Sequence, residues 1–169
     1  MKINLKIYNT VLRSNRARDV FIKADGVKTI VDQIKAVGAN GNAQQLYDFG
    51  FCLWTLSLGR EVPLEPFLVS GAVRSLSELV AVAPSRKVVR VAVAALKNLA
   101  IGENDRVLTE MLTHGLQKTL ENFIMTGTRL WRWIRGCIYH QYNQMYITSS
   151  LSPPAEFNIL YLIRLKMKM

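Results

Sequence analysis

Ser85-Arg-Lys-Val-Val-Arg-Val-Ala-Val-Ala-Ala-Leu-Lys-Asn-Leu-Ala-Ile-Gly102 carries the strongest structural signal in the chain. Pro84 and Ser85 make a good helix start, because a serine hydroxyl can accept from an orphan amide of the first turn. Gly102 makes a good stop. Between them Val88, Val89, Ala92, Ala95, Leu96 and Leu99 recur at helical spacing. Val91, Val93, Ala94 and Ile101 widen that stripe until Arg86, Lys87, Arg90, Lys97 and Asn98 are the polar remainder. A helix apolar over most of its circumference needs cover on most sides. The β-branched content would also suit strands, but strands rarely run so long. The stretch therefore predicts a helix with neighbouring helices on both flanks.

Outward from this helix the chain is self-similar. Val20-Phe-Ile-Lys-Ala-Asp-Gly26-Val-Lys-Thr-Ile, Pro66-Phe-Leu-Val-Ser-Gly71-Ala-Val-Arg-Ser-Leu and Leu112-Thr-His-Gly115-Leu-Gln-Lys-Thr-Leu share one plan: helix, glycine, helix. The glycines lie 45 and 44 residues apart. Leu53-Trp-Thr-Leu56 stands before Gly59 as Leu96-Lys-Asn-Leu99 stands before Gly102, shifted by 43. An all-helical period of this length is the signature of HEAT and armadillo arrays. The predicted architecture is all-α, an armadillo/HEAT-like right-handed superhelix of stacked helical repeats. Gly26, Gly71 and Gly115 are expected at matching corners, where a glycine takes positive φ without steric cost.

Helices are expected over Lys2–Leu12 (the end of an incomplete first unit), Ala17–Ala24, Val27–Val37, Gln44–Leu58, Glu61–Val69, Ala72–Val82, Glu103–Thr113 and Leu116–Phe123. Gly38-Ala-Asn-Gly41-Asn is a loop. Two full units and a partial one are marginal for an array, which needs about three repeats and polar caps. The chain is accordingly expected to be a piece of a longer array.

Charge and composition divide the chain near Met125. Of 169 residues half are apolar, and the net charge is +10. Residues 1–125 carry 16 basic against 11 acidic residues, and residues 126–169 carry 6 against 1. The repeat domain is therefore assigned to 1–125, and 126–169 reads as a divergent basic and aromatic tail, partly helical or disordered. Half of the excess charge lies in that tail, and no common binding motif is present, so nucleic acid is not an expected partner. No apolar run approaches the ~20 residues that cross a bilayer, and Met1–Thr10 lacks the apolar core of a signal peptide. Cytoplasmic residence with no direct membrane insertion is expected. Cys52, in an apolar helical pattern, reads as a small buried hydrophobe.

Nothing points to catalysis. His114 and His140 stand in unrelated contexts, and Glu103-Asn-Asp105 reads as the acidic start of a helix. No Cys/His spacing suits a metal, and Gly38–Gly41 is neither a phosphate loop nor a dinucleotide turn. No enzyme activity, cofactor or metal is expected.

The segment Val11-Leu-Arg-Ser-Asn-Arg-Ala-Arg-Asp-Val-Phe-Ile-Lys-Ala-Asp-Gly26 resembles the H subunit of the vacuolar-type proton ATPase. The likeness resumes at Gln45-Leu-Tyr-Asp-Phe-Gly-Phe-Cys-Leu-Trp-Thr-Leu56 and at Lys87–Leu99, and fades after Leu116-Gln-Lys-Thr-Leu-Glu-Asn122. The Ala-Leu-Lys-Asn-Leu core of the central helix is generic to armadillo proteins. The Leu-Arg-Ser-Asn lead into Ala-Asp-Gly, followed by Cys-Leu-Trp, is more specific. The resemblance implies a non-catalytic peripheral component on the cytoplasmic face of vacuolar and other endomembranes. It implies coupling of the soluble ATPase sector to the membrane sector, and silencing of hydrolysis when the two separate. It also implies other subunits of that enzyme, peripheral stalk and soluble sector, as partners. Where the family is acidic after this region, the tail here is basic and aromatic.

Five residues are candidates for partner contact. Arg86, Arg90 and Lys97, at i, i+4 and i+11, share a helix face that is either solvated or a docking stripe for an acidic helix. Asn98 sits where peptide-binding armadillo proteins place an asparagine, since an amide both donates and accepts; a local structural hydrogen bond is the plainer reading. The position one unit earlier is Thr55, with Trp54 beside it. Trp54, Phe49 and Phe51 read first as packing between units. The alternative function is a generic armadillo adaptor that holds extended peptides in its concave groove.

Overall fold

The computed structural model describes residues 12–59, 62–100 and 105–116, with Lys118, Thr119 and Asn122 beyond them. The expected helix before Leu12 and the expected tail lie outside the described residues. The chain divides into two compact units, Met1–Leu116 and Gln117–Met169. The described part of the first is all helix and turn, with no strand.

Among the described residues seven helices follow in order: α1 (Asn15–Lys23), α2 (Gly26–Val37), α3 (Ala43–Leu56), α4 (Glu65–Val69), α5 (Ala72–Val82), α6 (Arg86–Ala100) and α7 (Asp105–Thr113). Local chemistry sets their ends. Asn42 caps α3 by accepting from the amides of Gln44 and Gln45, both at 3.0 Å. Ser85 opens α6, its Oγ accepting from the Lys87 amide at 3.3 Å. Asp105 stands in the first turn of α7, where a carboxylate meets the positive end of the helix dipole. The helix expected over Glu61–Val69 is shorter, because Pro63 disfavours helical geometry at Val62, and Pro66, lacking an amide, fits the first turn.

Apolar residues at helical spacing supply the core. Val27, Ile30, Val31 and Ile34 of α2 are buried, as are Leu46, Phe49, Cys52, Leu53 and Leu56 of α3. Val73, Leu76, Leu79 and Val80 of α5 join Val88, Val89, Ala92, Ala95, Leu96 and Leu99 of α6. Burying each Leu-sized side chain contributes roughly 1.5–3 kcal/mol. The buried Ser77 stays satisfied by donating back to the Val73 carbonyl at 2.8 Å.

Like packs on like. The two long helices α3 and α6 lie against each other, and so do their predecessors α2 and α5. Each long helix also packs on its own predecessor, α2 on α3 and α5 on α6. The cross-unit contact of α2 with α4 recurs one unit later as α5 with α7. Arg106 of α7 reaches back to Glu65 of α4, with Nη1–Oε2 at 2.6 Å and Nη2–Oε1 at 3.3 Å, so the two short helices are tied as well.

One expected corner falls a residue away. Gly71 and Gly115 take positive φ, at 75° and 69°. Gly26 does not; the left-handed residue is Asp25, at φ 57°. The matching corners are therefore Asp25, Gly71 and Gly115, and Gly26 is the first residue of its helix, the place of Ala72 in the next unit. Gly26 answers a different demand: a Cβ there would collide with the Phe21 ring and stand 2.5 Å from the Phe21 carbonyl oxygen. Aspartate tolerates the left-handed region better than most residues, so the chain can turn early and keep its glycine for close approach.

Candidate functional site

A glycine of α3 stands in its seam with α6. Gly50 has no side chain, and a Cβ there would stand 2.7 Å from Val91 Cγ1. A second tie lies further along the same seam. Asn98 Nδ2 of α6 donates to Ser57 Oγ at 3.0 Å, and Ser57 Oγ donates to the Trp54 carbonyl at 2.7 Å. Ser57 is buried and Asn98 half-buried.

Two parallel stripes flank this seam. On α3, Tyr47, Phe51 and Trp54 are half-buried at i, i+4 and i+7, one helix face. Their rings touch in series: Tyr47 and Phe51 centroids are 6.0 Å apart, and Phe51 meets Trp54 edge-on at 5.1 Å. On α6, Arg86 and Arg90 are exposed, while Ala94 and Lys97 are half-buried on the same face. The 43-residue shift pairs Tyr47 with Arg90, Phe51 with Ala94 and Trp54 with Lys97. One face of the unit is thus aromatic on one helix and cationic on the next.

Of the residues singled out from sequence, Arg86, Arg90 and Lys97 share the cationic stripe, Trp54 ends the aromatic one, and Asn98 sits between them in the seam. Thr55, one unit before Asn98, is buried and donates to the Phe51 carbonyl at 2.8 Å. Phe49 is core, at 4% exposure, whereas Phe51 is on the outer stripe. Tyr47 and Ser57 join the face although no pattern above singles them out. Extending the 43-residue shift along the whole of both long helices finds Tyr47, the equivalent of Arg90 one unit earlier. No local pattern marks Ser57 as the acceptor for an amide 41 residues away.

Other chemistry is sparse. Burial, with a smaller contribution from the Asp48 charge, pushes the Cys52 thiol up to about 12, so no nucleophilic thiolate forms at neutral pH. A polar depression of about 550 Å³ lies between α2, α5 and α7. Its polar groups are already engaged: Arg74 with Glu78 at 3.0 Å, His114 Nε2 beside Glu110 at 3.4 Å, and Lys35 Nζ with the Ser70 carbonyl at 3.4 Å. Among the described residues no group of three His, Cys, Asp or Glu could hold a metal. Among them, too, no helix is long and apolar enough to cross a membrane.

Repeated helical units stacked like on like define an all-α protein with helical-repeat content. A family model for the H subunit of the V-ATPase matches residues 1–125, and the chain belongs to that family. A relative from Oryza sativa subsp. japonica, named as the probable H subunit of a V-type proton ATPase, is 28% identical over 113 residues. That match covers 67% of this chain but 24% of the relative, so the chain spans about a quarter of the relative's length. No solved structure matches.

Proposed function

We propose that this chain is a non-catalytic structural and regulatory part of the vacuolar-type proton ATPase, coupling the soluble ATPase sector to the membrane sector by protein–protein contact at the cytoplasmic face of endomembranes. Family membership over residues 1–125 carries the reading. Like-on-like packing supports its structural side: such contacts, continued, generate a right-handed armadillo/HEAT-like superhelix. In this reading the repeat domain runs to Met125 and residues 126–169 form a separate tail. Arg86, Arg90, Lys97, Asn98 and Trp54 belong to the contact face, with Asn98 setting the seam and the charged and aromatic side chains meeting the partner.

The groove-adaptor alternative gains no support from the seam. It needs a ladder of amides directed at a peptide backbone, but Asn98 donates to Ser57 and Thr55 to the Phe51 carbonyl. Affinity capture with the full chain from cell extract tests the choice. Stalk and soluble-sector subunits of the ATPase should be recovered, and recovery of cargo or nuclear-transport partners in their place would overturn the proposal.

A further inference from the structure

We infer that the depression between α2, α5 and α7 binds the phosphate group of a phosphomonoester, received by Lys35, Arg74 and the Ser75 hydroxyl. The inference goes beyond the proposed role in the ATPase and does not rest on it. Ser75 is the residue that points to a ligand. Among the described residues the buried polar side chains are Thr55, Ser57, Ser75 and Ser77. Three of them donate to a carbonyl: Thr55 to Phe51, Ser57 to Trp54 and Ser77 to Val73. Ser75, at 2% exposure, makes no side-chain hydrogen bond among the described residues. Yet none of their fully covered side-chain polar atoms lacks a partner. The little surface that Ser75 keeps is therefore on its oxygen, and Ser75 lines the depression. A hydroxyl so placed costs stability until something supplies it with a hydrogen bond.

Open donors, rather than net charge, define the site. Lys35 Nζ reaches over the corner that opens α5, where a Cβ at Gly71 would lie 3.8 Å from it. It gives one hydrogen to the Ser70 carbonyl at 3.4 Å, and an ammonium carries two more. Arg74 meets Glu78 through Nε at 3.0 Å, and both terminal nitrogens of its fork make no hydrogen bond among the described residues. Gly71, at φ 75°, gives α5 no side-chain cap, so the positive end of that helix dipole adds to the same corner. The lining also holds two carboxylates, each with a basic group beside it: Glu78 at Arg74 Nε, and Glu110 at 3.4 Å from His114 Nε2. Donor number selects the anion. The Arg74 fork takes two oxygens side by side, and a third is needed for Lys35 and Ser75. A phosphate monoester has that third oxygen and a carboxylate does not. Size selects an ester over the free ion. A depression of about 550 Å³ is in the range of sites for small organic ligands, and Leu68 and the 77% exposed Val69 line it as apolar surface for the rest of the molecule.

The test titrates phenyl phosphate into the full chain at low salt, followed by calorimetry and by backbone amide NMR shifts. Saturable binding is expected, with the largest shifts at Gly71 and Ser75, and it should weaken as salt is added. Ser75→Ala should weaken it about fivefold, and Lys35→Gln and Arg74→Gln about tenfold each, as the loss of a neutral and of a charge-assisted hydrogen bond implies. Without ligand, Ser75→Ala should not lower the melting temperature, because it breaks no hydrogen bond; a hydroxyl with a structural role would move that readout. Lys23→Gln, an equal charge loss on exposed α1, should leave binding within about twofold, since exposed charges at a distance are screened. Circular dichroism confirms that each variant is folded. Benzoate, which lacks the third oxygen, should bind about tenfold more weakly, the value of one charge-assisted hydrogen bond. Inorganic phosphate should also bind more weakly than the ester. A phosphoserine peptide run beside phenyl phosphate separates the two sources of ester: tighter binding of the peptide assigns the site to a phosphorylated side chain, and tighter binding of phenyl phosphate assigns it to a small molecule. No saturable binding, equal affinity for benzoate, or equal weakening by Lys23→Gln and Lys35→Gln would overturn the inference.

Discussion

Gly50→Ala is the sharpest perturbation of the seam between the long helices. In an open helix this change stabilises by about 1 kcal/mol, because alanine has the higher helix propensity and the unfolded chain loses freedom. Here the new Cβ would stand 2.7 Å from Val91 Cγ1, against an ordinary carbon–carbon contact of about 3.5–4.0 Å. Val91 is buried, and as a β-branched residue in a helix it has one strongly preferred χ1. It cannot swing aside, so α3 and α6 must separate by roughly 1 Å along their main contact, the shortfall from that ordinary distance. Overpacking of this kind costs about 1–3 kcal/mol, so the net expectation is a loss of about 1 kcal/mol where propensity alone gives a gain. Val91→Ala by itself removes two methyl groups and costs about 1.6 kcal/mol at about 0.8 kcal/mol each. In the Gly50→Ala background it should cost far less, because the clash goes with the methyls. A double-mutant cycle by urea denaturation, followed by circular dichroism, should give a compensating coupling of about 1–2 kcal/mol, within the range for residues in contact. A stabilising Gly50→Ala, or additive effects, would refute the close approach of the long helices at this point.

Three further outcomes are expected. Leu96→Ala should cost about 2–5 kcal/mol, since Leu96 is 2% exposed, whereas exposed Arg86→Ala should change stability by under about 0.5 kcal/mol; equal shifts in thermal unfolding would contradict the assignment of faces. Asp25→Gly should stabilise by up to about 1 kcal/mol and Gly71→Ala destabilise by about 1–2 kcal/mol, because both positions are left-handed and a Cβ is disfavoured there; chemical denaturation of the two variants checks the opposite signs. Cys52 keeps its proton to about 12 when folded, while an unfolded thiol loses it near about 8.5. Its contribution is therefore fully present below about pH 8.5 and falls as pH rises from there toward 12, by at most about 1.4 kcal/mol per pH unit. The difference in denaturation midpoint between wild type and Cys52→Ala, followed from about pH 8 to about pH 10 across the unfolded thiol's titration, should move toward the variant as pH rises. A pH-independent difference would contradict a thiol buried in apolar surroundings.

The helices, their order and the repeat are legible in the chain before it folds. The apolar stripes of Val27–Ile34, Leu46–Leu56, Val73–Val80 and Val88–Leu99 recur at helical spacing, and the asparagine, serine, proline and glycine between them end helices by local chemistry alone. The same stripes separate core from surface at Leu96 and Arg86. Whatever depends on two segments meeting had to wait for packing. Gly26 and Asp25 exchange expected roles because Phe21 crowds the glycine, a contact that φ preferences do not encode. Phe49 and Phe51 stand two residues apart with the same composition around them, yet one is core and the other surface, because the neighbouring helices together fix which side of α3 is covered. Asn98 finds Ser57, and Gly50 admits Val91, only once α3 and α6 lie together. Local propensity and periodicity act within about a turn or two of helix, whereas the aromatic and cationic stripes become one face through packing between residues about 40 positions apart.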